Sequence, residues 1–158
     1  MEDISYLPAS PGDLPSVRGL LARCDLPVED LRPSHLDHFV LCRDGGRLVG
    51  TVGLEPLGEV ALLRSLAVAP EFRGRRFGHE LWARARDHAL SRGIGRLYLL
   101  TTTAEGLFER WGFHRVPRDQ VANVVRNTTE YTTMCPSTAA VMAMDLAAER
   151  RDAAHGLR

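Results

Sequence analysis

Apolar positions in this chain fall into two kinds of run, short stretches of strand character and longer stretches at helical spacing. Ile4 to Ala9 is a β-type run, Pro11-Gly12-Asp13 supplies a turn and a cap, and Leu14, Val17, Leu20 and Leu21 then recur at the spacing of a helix. Pro27 and Pro33 break the chain before a hairpin, Phe39 to Cys42 and Leu48 to Leu54 around Asp44-Gly45-Gly46. Leu57-Gly58 turns it into Val60 to Val68, a central strand interrupted by Arg64 and Ser65 and stopped at Pro70. From Gly78 to Arg92 the residues Leu81, Trp82, Ala85, Ala89 and Leu90 form the apolar face of a helix ended by Gly93. A strand Arg96 to Leu100, a short helix Ala104 to Trp111 and a strand Phe113 to Val116 follow. Asp119 is expected to cap a helix from about Gln120 to Arg126, a polar loop runs through Pro136, and Ala139 to Leu146 reads as the last strand. The pattern predicts an α/β (α+β) chain with one domain over residues 1–146 and a disordered tail over 147–158.

Composition narrows the function classes. Hydrophobic residues at 44% and charged ones at 25% suit a globular protein. Twenty basic against twenty acidic residues leave no global field for nucleic acid or an anionic membrane, so any anion site is local. Every one of those basic residues is Arg, which excludes a Schiff-base lysine. The charge-free stretch Tyr131 to Met144 is too short and too polar to span a bilayer, and Met1-Glu2-Asp3 has no signal-peptide character, so a cytoplasmic protein is expected. Cys24, Cys42 and Cys135 lack metal-ligand spacing and read as reduced thiols, with no metal site.

The segment richest in chemistry is Leu66-Ala67-Val68-Ala69-Pro70-Glu71-Phe72-Arg73-Gly74-Arg75-Arg76-Phe77-Gly78, a strand that delivers a Gly- and Arg-rich turn onto a helix start. Free amides, the positive end of the helix dipole and arginines together suit a phosphate, although a solvated basic turn has the same composition. There is no Gly-Lys-Ser/Thr and no GxGxxG after the first strand, which excludes an NTP P-loop and a Rossmann dinucleotide site. A pyrophosphate of another cofactor remains.

Leu66-Ala67-Val68-Ala69-Pro70 followed by Arg73 to Gly78 resembles the hallmark of the GNAT N-acetyltransferases, and Ala104 to Phe113 is similar to their second signature. Leu99 to Glu105 with the Thr-rich stretch Thr128 to Pro136 further resembles the branch found with bacterial arsenic-resistance genes, and bacterial N-acetylglutamate synthases share part of it. The resemblance implies a mixed, mostly antiparallel seven-stranded sheet with helices on both faces, splayed after the fourth strand to admit acetyl-CoA. It implies that the backbone of Leu66, Ala67 and Val68 binds the pantetheine arm and acetyl carbonyl. Amides of Arg73, Gly74, Arg75, Arg76, Phe77 and Gly78 would bind the pyrophosphate. Two residues depart from the pattern: Arg76 stands where the family has its middle Gly, and Phe108 where many members place a Tyr that protonates the CoA thiolate.

Acetyl transfer from a thioester to an amine needs a neutral nucleophile, a place for the oxyanion and a proton for the thiolate. Glu59 is the first choice for the base and Glu55 the second; Thr102, with Thr101 and Thr103, and Tyr131 are the candidate proton donors. Arg64 in an apolar strand suits a substrate carboxylate or, alternatively, an internal ion pair, and Arg126 is a weaker substrate candidate. The expected activity is N-acetylation of a small amino-acid-like amine, an organoarsenical or amino-acid antibiotic among them, by a monomer or homodimer. The alternatives are a protein N-acetyltransferase and a non-catalytic CoA-binding sensor.

Overall fold

A computed structural model describes residues 3–134 and 139–146. Seven strands form one sheet, β1 (Ile4–Pro8), β2 (Phe39–Asp44), β3 (Arg47–Leu57), β4 (Val60–Val68), β5 (Arg96–Thr101), β6 (His114–Arg115) and β7 (Ala140–Asp145), in the order β1-β2-β3-β4-β5-β7-β6. The pairs β1–β2, β2–β3, β5–β7 and β6–β7 are antiparallel. The two-residue turn at Gly58-Glu59 joins β3 to β4, a connection open only to antiparallel neighbours. The single parallel pairing among the described registers, β4 with β5, covers Val60 to Leu62 against Arg96 to Tyr98. The expected mixed, mostly antiparallel sheet is therefore present. Among the described residues four α-helices lie between strands: α1 (Leu14–Arg23), α2 (Phe77–Ser91), α3 (Glu105–Arg110) and α4 (Asn123–Arg126).

By contacts the chain gathers into two compact units, residues 1–55 with 63–88, and residues 56–62 with 89–158. In the first, Leu14, Val17, Leu20 and Leu21 of α1 are buried, as their spacing requires. The apolar face of α2 buries Leu81, Trp82 and Ala85, and Leu81 lies against β3 where Gly50 leaves it room; a Cβ there would come within 2.8 Å of its Cδ1. Phe39 of β2 lies over Gly53 of β3, its register partner. In the second unit, Leu62, Tyr98, Val116, Val121, Val125, Val141 and Ala143 make a core.

Three boundaries differ from the sequence reading, all in the second unit. The expected helix from Gln120 is split: a 3-10 turn over Arg118–Gln120 ends in extended residues at Val121 and Ala122, and α4 starts at Asn123 with Ala122, not Asp119, at its N-cap. Burial of Val121 in the core outweighs the propensity of the segment. The sixth strand shrinks to two residues, and a π turn over Glu130–Met134 interrupts the expected polar loop. No helix among the described residues is long and apolar enough to cross a membrane.

Candidate active site

The strand–turn–helix segment lies wholly in the first unit. At the end of β4 Ala67 is buried and Leu66 and Val68 are half-buried. The Val68 carbonyl accepts from Arg73 Nε at 3.1 Å and from Cys24 Sγ at 3.6 Å, which ties the turn back to the strand. Gly74 (φ +82°) and Arg76 (φ +67°) are both left-handed, and α2 begins immediately after them. Amides at that helix start, Phe77 and Gly78, have no acceptor one turn back. The side chains of Arg73, Arg75 and Arg76 are exposed around them. A Cβ at Gly78 would meet only Val68 Cγ2, at 3.7 Å, so packing does not demand glycine there. Arg76 does occupy the conformation that costs an L residue about 1–2 kcal/mol.

Neighbouring groups fix the arginines around the turn. Arg47 and Arg75 lie over the Phe72 ring, at 5.4 and 5.1 Å from its centroid. Glu71 bridges Arg23 and Arg47. Its carboxyl is held below the usual range first by its own backbone N–H and then by the two guanidinium groups.

Arg64 has a different setting from the one favoured in the sequence. Its Nη1 and Nη2 donate to Asp30 at 2.6 and 2.7 Å, Nη1 also donates to Glu55 Oε1 at 3.3 Å, and Nε donates to Ser65 Oγ at 3.3 Å. The side chains of Arg64 and Asp30 are 1% and 4% exposed, that of Glu55 21%. The internal ion pair is thus realised, and the guanidinium does not stand open to a substrate carboxylate. Burial pushes the Asp30 carboxyl up, but hydrogen bonds and charge from Arg64, with a smaller contribution from His35, outweigh it and hold it below its ordinary range. Ser65, the next residue, is left-handed at φ +59° within the strand. Composition offered Arg64 alone; Asp30 lies 34 residues away in sequence, in a connection with no helical or strand pattern to place it.

The remaining candidates lie in the second unit. Glu59 is exposed in the β3–β4 turn, and Thr102 is exposed after β5. Thr101 Oγ1 accepts the Ala104 amide at 2.9 Å, in the turn that leads into α3. Tyr131 is half-buried against the core, and its hydroxyl accepts from Arg118 Nη1 at 3.4 Å. Arg126, the last residue of α4, donates from Nε to the Val121 carbonyl at 3.2 Å. Phe108 is buried, edge-on to Trp111 and Phe113, and supplies no proton donor. Cys24 and Cys42 are free thiols, while Cys135 lies outside the described residues.

A model of the Acetyltransferase (GNAT) family matches residues 12–113, which includes α1, the whole of β4, the Arg73–Gly78 turn and α2. Among solved structures, the chain is similar to N-acetylglutamate synthase from Neisseria gonorrhoeae, complexed with coenzyme A and N-acetyl-glutamate, at 24% identity and a TM-score of 0.79. The similarity covers 91% of this chain but 35% of that one, so the chain spans about a third of that protein's length. Rv2747 from Mycobacterium tuberculosis, solved with CoA, is similar at 20% identity and a TM-score of 0.75, covering 89% of this chain and 98% of that one. The ribosomal-protein-S18-alanine N-acetyltransferase from Escherichia coli is similar at 20% identity and a TM-score of 0.63, covering 92% and 94%.

Proposed function

We propose, on the premise that this chain belongs to the GNAT acetyltransferase family, that it transfers an acetyl group from acetyl-CoA to the amine of a small amino-acid-like molecule. The observation that carries this is the end of β4 running into two left-handed residues and the start of α2, with three exposed arginines around it. Unpaired amides, the positive helix terminus and guanidinium groups complement a pyrophosphate. The residues present fit acetyl-CoA, which supplies the acetyl group as an activated thioester. Arg73 to Gly78 would hold its diphosphate, and the main chain of Leu66 to Val68 its pantetheine arm. Glu59 is the proposed base for the amine, and Thr102 or Tyr131 the proposed proton donor in place of the absent phenol at Phe108. An organoarsenical amino acid belongs among the acceptors to be tried, on the resemblance to the arsenic-resistance branch alone. A CoA-binding sensor is the second reading, favoured by Phe108 and the strained Arg76; release of CoA thiol in the presence of an amine separates the two.

Gly78→Asp tests the cradle. The added carbon meets only an ordinary contact, and a carboxylate in the first turn suits the helix dipole, so the fold is retained while the new charge repels a diphosphate. Calorimetry should show CoA affinity falling about tenfold or more. Unchanged affinity would show that the diphosphate binds elsewhere.

A further inference from the structure

Arg64 is the one charged residue of β4, and it is buried with both Nη atoms on Asp30. Two carboxylates, Asp30 and Glu55, contact this one guanidinium, and Glu55 is the member that reaches solvent. Drawing Arg64 out to meet a substrate carboxylate would strand Asp30 as an unpaired buried charge, a strongly unfavourable exchange. A molecule approaching β4 at Arg64 therefore meets the Glu55 carboxylate and not the Arg64 guanidinium. Ser65 and Asp30 fix the guanidinium from two further sides, so the contact with Glu55 Oε1 holds that oxygen in one place.

Taking acetyl transfer at the end of β4 as given, we infer that Glu55 reads the acceptor through an ammonium group. The acceptor class that fits is a cationic amine, an α,ω-diamine or a dibasic amino acid, in preference to a dicarboxylic one. Arg64 precedes Leu66 by two residues on β4, with the left-handed Ser65 between them. In a diamine, one ammonium on Glu55 would leave the second nitrogen to reach toward Leu66 to Val68, where the acetyl group is proposed to lie. The Glu55 carboxylate would repel the carboxylates of glutamate.

Calorimetric titration of the full chain at pH 8, above the ordinary histidine range, with putrescine, lysine and glutamate, each with and without CoA, tests this. Putrescine should bind wild type about tenfold or more tightly than glutamate, and Glu55→Gln should remove most of that difference while leaving CoA binding as it was. Asp30→Asn combined with Arg64→Met removes one charge of each sign and spares Glu55, so the affinity ratio of putrescine to glutamate should persist even where both affinities weaken. Glutamate binding as tightly as putrescine, a Glu55→Gln variant with wild-type putrescine affinity, or loss of the ratio in the double variant would each overturn the assignment. Failure of wild type to bind CoA would instead sink the acetyl-transfer reading, and the titrations without CoA would still decide the role of Glu55.

Discussion

Arg76 and Arg64 show how far one side chain's meaning depends on its backbone and partners. Arg76 sits at φ +67°, where family members carry glycine, and pays for its Cβ there. Arg76→Gly should recover about 1–2 kcal/mol of strain and return about 0.5–1 kcal/mol in unfolded-chain entropy. The net gain, up to about 1.5 kcal/mol, should appear in thermal unfolding as a rise of about 2 °C; a melting temperature that falls would mean that the Arg76 side chain contributes more than its strain costs. Arg64 is the converse case, since its own backbone is not left-handed and its role is set by Asp30 and Glu55.

The β2–β3 hairpin is the element that leaves least freedom. Phe39 and Gly53 are register partners, and a Cβ at Gly53 would lie 2.1 Å from Phe39 Cε1 and 2.3 Å from Cζ. Phe39 is almost fully buried, so its ring has nowhere to withdraw. Gly53→Ala should therefore destabilise by about 3 kcal/mol or more, read from the midpoint of chemical denaturation. Gly50→Ala should cost less, because the atom nearest the added carbon is the flexible end of Leu81 and the next, Cys42 Cβ, lies at 3.2 Å. Wild-type stability of Gly53→Ala would mean that the ring does not lie over the strand. At α4 the element is decided from outside: Val121 is held in the core in an extended conformation, and the helix begins only beyond it.

At the scale of the molecule, ion pairs made by carboxyls with lowered pKa values make stability depend on acid. Asp30 is held below its ordinary value, burial notwithstanding, by Arg64; Asp13 is held down first by the Ser10 backbone N–H, with Arg43 also contributing. A carboxyl whose folded pKa lies beneath its unfolded value of about 3.9 contributes stability that is fully present above that pH. The contribution is lost as pH falls from about 4 through the folded value. Denaturant unfolding from about pH 7 down to about pH 3 should show wild type losing stability more steeply below pH 4 than Asp30→Asn combined with Arg64→Met, which lacks the pair. Equal slopes would mean that the Asp30 carboxyl is not depressed by Arg64 in the folded state.

The order of strands and helices, the central strand Val60–Val68 and the Arg73–Gly78 turn were legible in the sequence, because periodicity, proline and glycine act locally and each encodes its own stretch of backbone. Leu81 and Trp82 were recognisable as core for the same reason. Three things were decided by tertiary structure. The sign of φ at Arg76 follows from how the turn must join β4 to α2, a constraint that no single residue carries. The break before α4 follows from the hydrophobic demand of a core assembled from distant strands. The burial of Arg64 against Asp30 and Glu55 joins residues 34 and 9 positions away, and electrostatic pairing of that kind depends on distance in space, which composition and spacing along the chain do not contain.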